Sequence, residues 1–381
     1  MDHGNKLIMQ IDSLTDLVEH QLSMSFENVE ECLSFSDILN VRRVIITGSG
    51  DSYASGIALK KFFEKYGDTF GVDIVRQIYF TRYVSKDNYE KDSPGSTLLI
   101  GISNGGESSR TVEALSVGND LGYLTLAITN NKESRCAKLA DRTLLMDLAK
   151  PEYVSVGLRS YLAMLFSLTA LVVKFGRVRG IISSMYENNV KKEILELFKK
   201  YNNKYEDYKT QAKKIAEKIY DSVVIDFIAD DSHLASAYFI AAKFSECTGK
   251  LFSIEESETW CHLHAYLKAA KPIPTFILAH KDQGSYSRLI ETAAHARKIG
   301  RDVYVMGDIN IEDFEGCEVI KLPHIEKGSY QHIYYEYIPA SLIVGYVQNI
   351  VKTDDFCTKK HLQYGTTRSS KVLNLETIIN Q

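Results

Sequence analysis

Residues Thr97 to Thr111 read TLLIGISNGGESSRT, and their order decides the fold. Thr97–Ile102 is a short, mostly apolar run, the mark of a strand buried on both faces. Ser103, Asn104, Gly105, Gly106, Glu107, Ser108 and Ser109 follow, and from Thr111 the apolar residues take up helical spacing. Small hydroxyl and amide side chains, with two glycines, therefore stand where a helix begins. The first turn of a helix carries unpaired N–H groups and the positive end of the dipole, which makes that place an anion site. The same residues also suit a plain strand-to-helix turn, because they are good helix caps.

A second stretch of the same build tips the balance. Upstream, Arg43–Thr47 is another buried-strand run, Gly48-Ser49-Gly50-Asp51-Ser52-Tyr53 is the loop, and Ala54–Leu59 opens a helix. In a doubly wound sheet such loops lie together over the carboxyl ends of the strands, where ligands bind. The glycines are not spaced as G-x-G-x-x-G, and no lysine follows as in a P-loop. The expected anion is a sugar phosphate rather than a nucleotide.

The two loops resemble those of the SIS (sugar isomerase) family, which has a G-x-G-x-S-Y-like first loop and an S-x-S-G-E-[ST]-like second loop. The resemblance implies that Ser52, Ser103, Asn104 and Ser108 hold the phosphate of a phosphosugar, with Thr111 at the edge of the site. Gly105 stands where the family commonly has Ser or Thr, which removes one hydroxyl donor and leaves the backbone N–H.

Outward from these loops the chain alternates strand and helix. Strands are expected at 43–47, 72–80, 97–102, 123–128 and 142–147, with helices at 53–65, 108–121 and 134–140. The alternation restarts with strand Val223–Ile228, helix Ala235–Cys247, strand Leu251–Ile254 and helix Leu263–Ala270, then continues to a closing helix at Ile338–Val351. This is an α/β chain made by duplication of one unit, each a parallel sheet flanked by helices. With the resemblance, it reads as two tandem SIS domains. Lead-in helices are expected over 1–35, a phosphate-binding domain over 36–180, a helical connector over 181–220, a second domain over 221–352 and a polar tail over 353–381. In the second unit the equivalent loop, Ala229-Asp230-Asp231-Ser232-His233, has two acids and no glycine, so it should repel phosphate.

Lys243 and Glu246 lie three apart on one helical face, and His262 follows Glu246 by sixteen residues. These separations resemble the isomerase half of glucosamine-6-phosphate synthase, and the Glu–His separation also resembles fructosamine-6-phosphate deglycases. The resemblance implies that Glu246 moves a proton between C1 and C2 and that His262 assists ring opening. Lys243 would hold substrate hydroxyls or tune Glu246. The family shows His-Gly-Pro where this chain has His262-Leu263-His264, so His264 stays open as the alternative histidine. Arg368-Ser369-Ser370-Lys371-Val372 resembles the family's R-x-L-x-K-V tail, which implies that Lys371 enters the active site. An E-x-x-V-x-S-T-K-x-F-like segment is matched by Glu152, Arg159 and Tyr161.

A carboxylate performs aldose–ketose proton transfer near neutral pH if burial raises its pKa toward roughly 6–7. Neither a metal nor an organic cofactor is called for, and no grouping of ligand residues in the sequence marks a metal site. Net charge is −4 over 381 residues, which excludes a basic nucleic-acid binder or a partner of anionic membranes. The cysteines form no C-x-x-C pair and read as reduced thiols. The N-terminus lacks a basic segment followed by an apolar one, and the apolar stretch Tyr161–Val173 is short for a membrane span. A cytoplasmic enzyme is expected, an isomerase, deaminase or deglycase acting on a 6-phosphosugar, foremost an amino sugar or a fructosamine 6-phosphate. A non-catalytic phosphosugar-binding regulator is the alternative. The protein should be a homodimer or larger, with the Tyr-rich stretch Tyr330–Tyr337 as an interface face.

Overall fold

The computed structural model describes residues 5–67, 71–83, 94–149, 153, 155–268, 271–326 and 330–357. It divides into two compact units. Among the described residues, those within Asp16–Pro151 and Arg159–Lys192 make the first, while those up to Thr15, within Glu152–Leu158 and within Glu193–Tyr364 make the second. The opening helix α1 (Lys6–Asp12) accordingly belongs to the second unit, where Ile8 packs under Gly345 and Asn5 donates to the Gly345 carbonyl at 3.0 Å.

The first unit holds α2 (Leu14–Cys32), α3 (Phe35–Asn40), β1 (Arg43–Gly48), α4 (Asp51–Tyr66), β2 (Gly71–Arg76), α5 (Gln77–Arg82), β3 (Thr97–Ile102), α6 (Ser109–Asp120), β4 (Leu124–Thr129), α7 (Arg135–Leu139), β5 (Arg142–Leu145) and α8 (Arg159–Val178). Its five strands are all parallel, in the order β2-β1-β3-β4-β5. β3 is buried at every residue, as its unbroken apolar run requires of a strand covered on both faces. Helix α8 is long and apolar enough to cross a membrane, yet 89% of its apolar window is buried inside the protein. It is a core helix. Its Lys174 is buried and donates to the carbonyls of Val29, Glu30 and Leu33 at 2.7–2.8 Å, satisfying the end of α2.

Helix α9 (Ser184–Asn202) leads to the second unit, which holds α10 (Tyr205–Ile219), β6 (Val224–Ile228), α11 (His233–Thr248), β7 (Leu251–Glu255), α12 (Ser257–His262), β8 (Pro274–Leu278), α13 (Tyr286–Lys298), β9 (Asp302–Gly307), β10 (Glu318–Lys321) and α14 (Tyr337–Val351). Its strands are again parallel, in the order β7-β6-β8-β9-β10. Strand for strand this repeats the first sheet, so the duplication read from the alternation is present in the topology. In each sheet the chain leaves the first strand in one direction and returns for the third on the other side. The crevice between those two strands is the switch point where doubly wound sheets bind ligands.

Several local expectations are corrected. The strand expected over 72–80 ends at Arg76, because Gln77 and Phe80 are buried at helical spacing while Ile78 and Tyr79 are exposed. The helix expected at Leu263–Ala270 is instead α12, which begins where the Glu256 side chain accepts from the backbone N–H groups of Glu258 and Thr259. A short 3-10 turn, His264–Tyr266, follows it. The residues expected as a connector are not separate, since Tyr208 of α10 is buried in the second unit and donates to the Lys321 carbonyl at 3.2 Å. Tyr330–Tyr337 is no interface face in this chain: Ile333, Tyr334, Tyr335 and Tyr337 are all buried in the second unit's own core.

Candidate functional site

The two small-residue loops lie at the carboxyl ends of β1 and β3, on either side of the first unit's switch point. Gly50 caps α4 with φ 56°. Gly106 in the second loop has φ 68°, and a Cβ there would collide with the Ser134 side chain, so only glycine fits the turn. A bridge of side chains ties the loops together. Ser49 Oγ donates to Gln77 Oε1, and Gln77 Nε2 donates to Thr111 Oγ1. Gln77 was not singled out from the sequence, where it looked like the middle of a strand.

The expected phosphate residues differ in their placement. Ser103 is buried beneath the second loop and donates its backbone N–H to the Ile128 carbonyl at 3.0 Å. Asn104 is exposed at the loop tip, with its carbonyl accepting from Asn130 N at 2.8 Å and Thr129 Oγ1 at 3.1 Å. Ser108 is the N-cap residue of α6, and its side chain makes no capping bond to that helix. Ser52 lies in the first turn of α4, buried, with its hydroxyl 3.8 Å from Met164 Sδ. Thr111 is fully buried and held by Gln77, so it is part of the support rather than an open edge. Behind the loop, buried Glu113 is paired with both Arg82 and Arg110. Tyr161 is buried in α8 and Arg159 begins that helix, while Glu152 lies outside the described residues.

In the second unit, Lys243 Nζ donates to Glu246 Oε2 at 2.7 Å, with the Lys243 side chain 0% exposed and that of Glu246 32% exposed. A buried ammonium thus orients a carboxylate that solvent and small molecules can reach. The last described residues run past this point, where Thr353 Oγ1 donates to the Cys247 carbonyl at 2.6 Å. Lys371 lies outside the described residues.

The structure separates the histidines from Glu246. Side chains alternate between the two faces of a strand. Phe227 of β6 turns to one face and meets Phe244 of α11, with ring centroids 6.0 Å apart. Its neighbour Asp226 turns to the other, where it accepts from Trp260 Nε1 of α12 at 2.6 Å. Helix α11, which carries Glu246, and helix α12, which carries His262, therefore pack on opposite faces of one sheet. His262 is 72% exposed and its Nε2 lies 2.9 Å from Glu258 Oε1. His264 is largely covered, with Nδ1 3.5 Å from the buried carboxylate of Asp226. His264 serves that internal cluster, and His262 is the histidine available at the surface.

The switch point of the second unit holds a cluster that sequence spacing did not reveal. A cavity of about 360 Å³ is lined by Asp230, Ser232, His233, His280 and His332, among others. His233 Nδ1 is 2.7 Å from Glu336 Oε2, His332 Nε2 is 3.0 Å from Ser232 Oγ, and the His233 and His332 rings stack with centroids 4.0 Å apart. Burial, reinforced by His233 and His280 nearby, holds His332 well below the ordinary histidine range. The expectation that no residues group as metal ligands is corrected here. His233, His332 and Glu336 are drawn together from segments a hundred residues apart, so no short motif could announce them.

Loops of this kind on a doubly wound parallel sheet point to a class, and the family model of the SIS domain matches residues 37–174. Both sheets together have the fold of tandem SIS domains. The chain is similar to a glutamine–fructose-6-phosphate aminotransferase (isomerizing) from Pseudomonas putida, 26% identical over 328 residues that make up 82% of this chain and 50% of that protein. Among solved structures it is similar to a candidate phosphosugar isomerase from Clostridium difficile 630, with a TM-score of 0.79 at 21% identity over 96% of this chain and 99% of that one. It is also similar to the C-terminal domain of glucosamine-fructose-6-phosphate aminotransferase from Francisella tularensis, with a TM-score of 0.76 at 17% identity over 93% and 99% of the two chains. The chain spans about half the length of the aminotransferases it matches.

Proposed function

We propose that this protein acts on a 6-phosphosugar, an amino sugar or a fructosamine 6-phosphate, and moves a proton between C1 and C2 through an enediol or its amino counterpart. The observation that carries this reading is the Lys243–Glu246 pair, a wholly buried ammonium fixing a partly exposed carboxylate. A structural surface pair exposes both partners and stabilises by only about 0.2–1 kcal/mol. Burying the lysine completely costs its hydration, and the return is a carboxylate held in one orientation, as a proton-transfer base requires. Ser52, Ser103, Asn104 and Ser108 hold the phosphate, through hydroxyls and the N–H groups at the starts of α4 and α6.

His262 acts in the active site of a second copy of the chain, since its own sheet stands between it and Glu246. Lys371 supplies a further cationic group to the reaction. The enzyme works in the cytoplasm as a homodimer or larger assembly. Isomerisation, deamination and deglycation share this proton transfer; isomerisation releases nothing, whereas deamination releases ammonia from C2 and deglycation an amine from C1. NMR product analysis with a panel of 6-phosphosugars and 6-phosphofructosamines tests the reading and chooses among the three. Turnover of one class is expected, and inertness toward the whole panel would overturn it.

A further inference from the structure

We infer that the crevice of the second unit is a binding site for a transition-metal cation of the zinc type, held by His233, His332 and Glu336. This inference does not rest on the proposed isomerase chemistry. His233 opens α11, His332 lies in the 3-10 turn Gln331–Tyr334, and Glu336 immediately precedes α14. Glu246 follows His233 by thirteen residues, about 20 Å of helix rise, so this cluster is separate from the proposed proton-transfer carboxylate.

Three observations converge on a cation. First, each residue offers one ligand atom, and these atoms all lie within 4.8 Å of one another. A tetrahedral ion about 2.1 Å from each would bring them about 3.4 Å apart, and one of the two stacked imidazole rings must turn out of parallel so that both in-plane lone pairs meet at the ion. Second, all three are buried, and Glu336 Oε1 has no hydrogen-bond partner. A buried carboxylate oxygen without a donor forfeits its hydration for nothing, and a cation supplies the missing partner. Third, His332 is already bonded through Nε2 to Ser232 Oγ at 3.0 Å, the kind of outer contact that orients a ligating imidazole.

The donor set decides the class of ion. Two imidazoles and one carboxylate suit zinc and its neighbours, whereas calcium and magnesium take mainly oxygen ligands. Three protein ligands leave a fourth position, and His233 and His332 both line the cavity, which is where a water or a small ligand would complete the shell. The acids of the same loop, Asp230 and Asp231, that disfavour a free phosphate favour entry of a cation.

The test uses the full chain, freed of metal with a chelator and titrated with Zn²⁺ by calorimetry and with Co²⁺ by visible absorption. One equivalent per chain is expected, with the intense bands of tetrahedral cobalt. Glu336→Gln and His332→Ala should each lower affinity by at least about 100-fold, and exposed His20→Ala should leave it unchanged. Circular dichroism establishes that the variants are folded. Should either variant fail to fold, zinc X-ray absorption of the unaltered protein decides, with a first shell of two imidazoles and oxygen expected. Absence of stoichiometric binding, affinity retained in both folded variants, or a zinc shell without two imidazoles would overturn the site and leave a buried His233–Glu336 hydrogen bond only.

Discussion

Glu246 and His262 lie on opposite faces of the second parallel sheet, one on α11 beyond Phe227 and Phe244, the other on α12 beyond Asp226 and Trp260. With the sheet between them, the two residues belong to different helix layers of one chain. If both serve the reaction, each active site takes its Glu246 from one protomer and its His262 from another. Glu246→Gln and His262→Ala should then be nearly inactive alone and recover activity when unfolded together and refolded as a mixture. Random pairing makes half of the dimers hybrids, each with one intact site of two, so recovery should approach about a quarter of the unaltered activity. A mixture no more active than its components would show that the two residues do not share a site across chains.

Phosphate recognition should reside in the first unit. The double variant Ser52→Ala, Ser103→Ala removes two hydroxyls from the loops at the β1/β3 switch point. Calorimetry should show binding of a turned-over sugar 6-phosphate weakened by about 1–3 kcal/mol. Affinity equal to that of the unaltered protein would move the phosphate elsewhere.

Asp37 gives a pH-dependent stability term with a definite sign. It completes a capping box at α3, accepting from Ser34 N at 3.0 Å while Ser34 Oγ accepts from Asp37 N at 3.1 Å, and Arg142 Nε lies 3.2 Å from it. Partial burial would raise its pKa, but the bonds from Ser34 and the charge of Arg142 outweigh that and hold it below the usual value of 3.8. A carboxyl depressed on folding stabilises above its unfolded pKa, and the benefit is lost as pH falls through the folded one. Asp37→Asn should therefore lower stability at pH 7 by about 0.5–2 kcal/mol. Thermal melts of the two proteins should converge as the pH is taken below 3.8, the usual value. A difference that persists or widens in acid would rule out this linkage.

The sheets were legible because buried parallel strands announce themselves as unbroken apolar runs. Thr97–Ile102 was read with the bounds it has in the structure. Gln77 was missed because Gln77–Phe80 alternates like a strand, and only tertiary burial of Gln77 and Phe80 makes it a helix. The pairing of Lys243 with Glu246 followed from helical spacing alone. The relation of Glu246 to His262 did not, because spacing along the chain is silent about which face of a sheet a crossover covers. His233, His332 and Glu336 were out of reach for the same reason, since their proximity is created by the closing of α14 on α11. Tyr330–Tyr337 misled because a tyrosine-rich run looks like an interface, whereas here the rings fill the chain's own core.

The most direct test of the central claim is solvent exchange at the substrate's C1 or C2 hydrogen, followed by proton NMR in D₂O with the 6-phosphosugar that the panel identifies. The unaltered protein should exchange that hydrogen during turnover. Glu246→Gln should keep its fold and its phosphosugar affinity, lose turnover by roughly 10²–10⁴-fold, and stop exchanging the hydrogen. Turnover and exchange near normal in Glu246→Gln would contradict the assignment of the proton shuttle to this carboxylate.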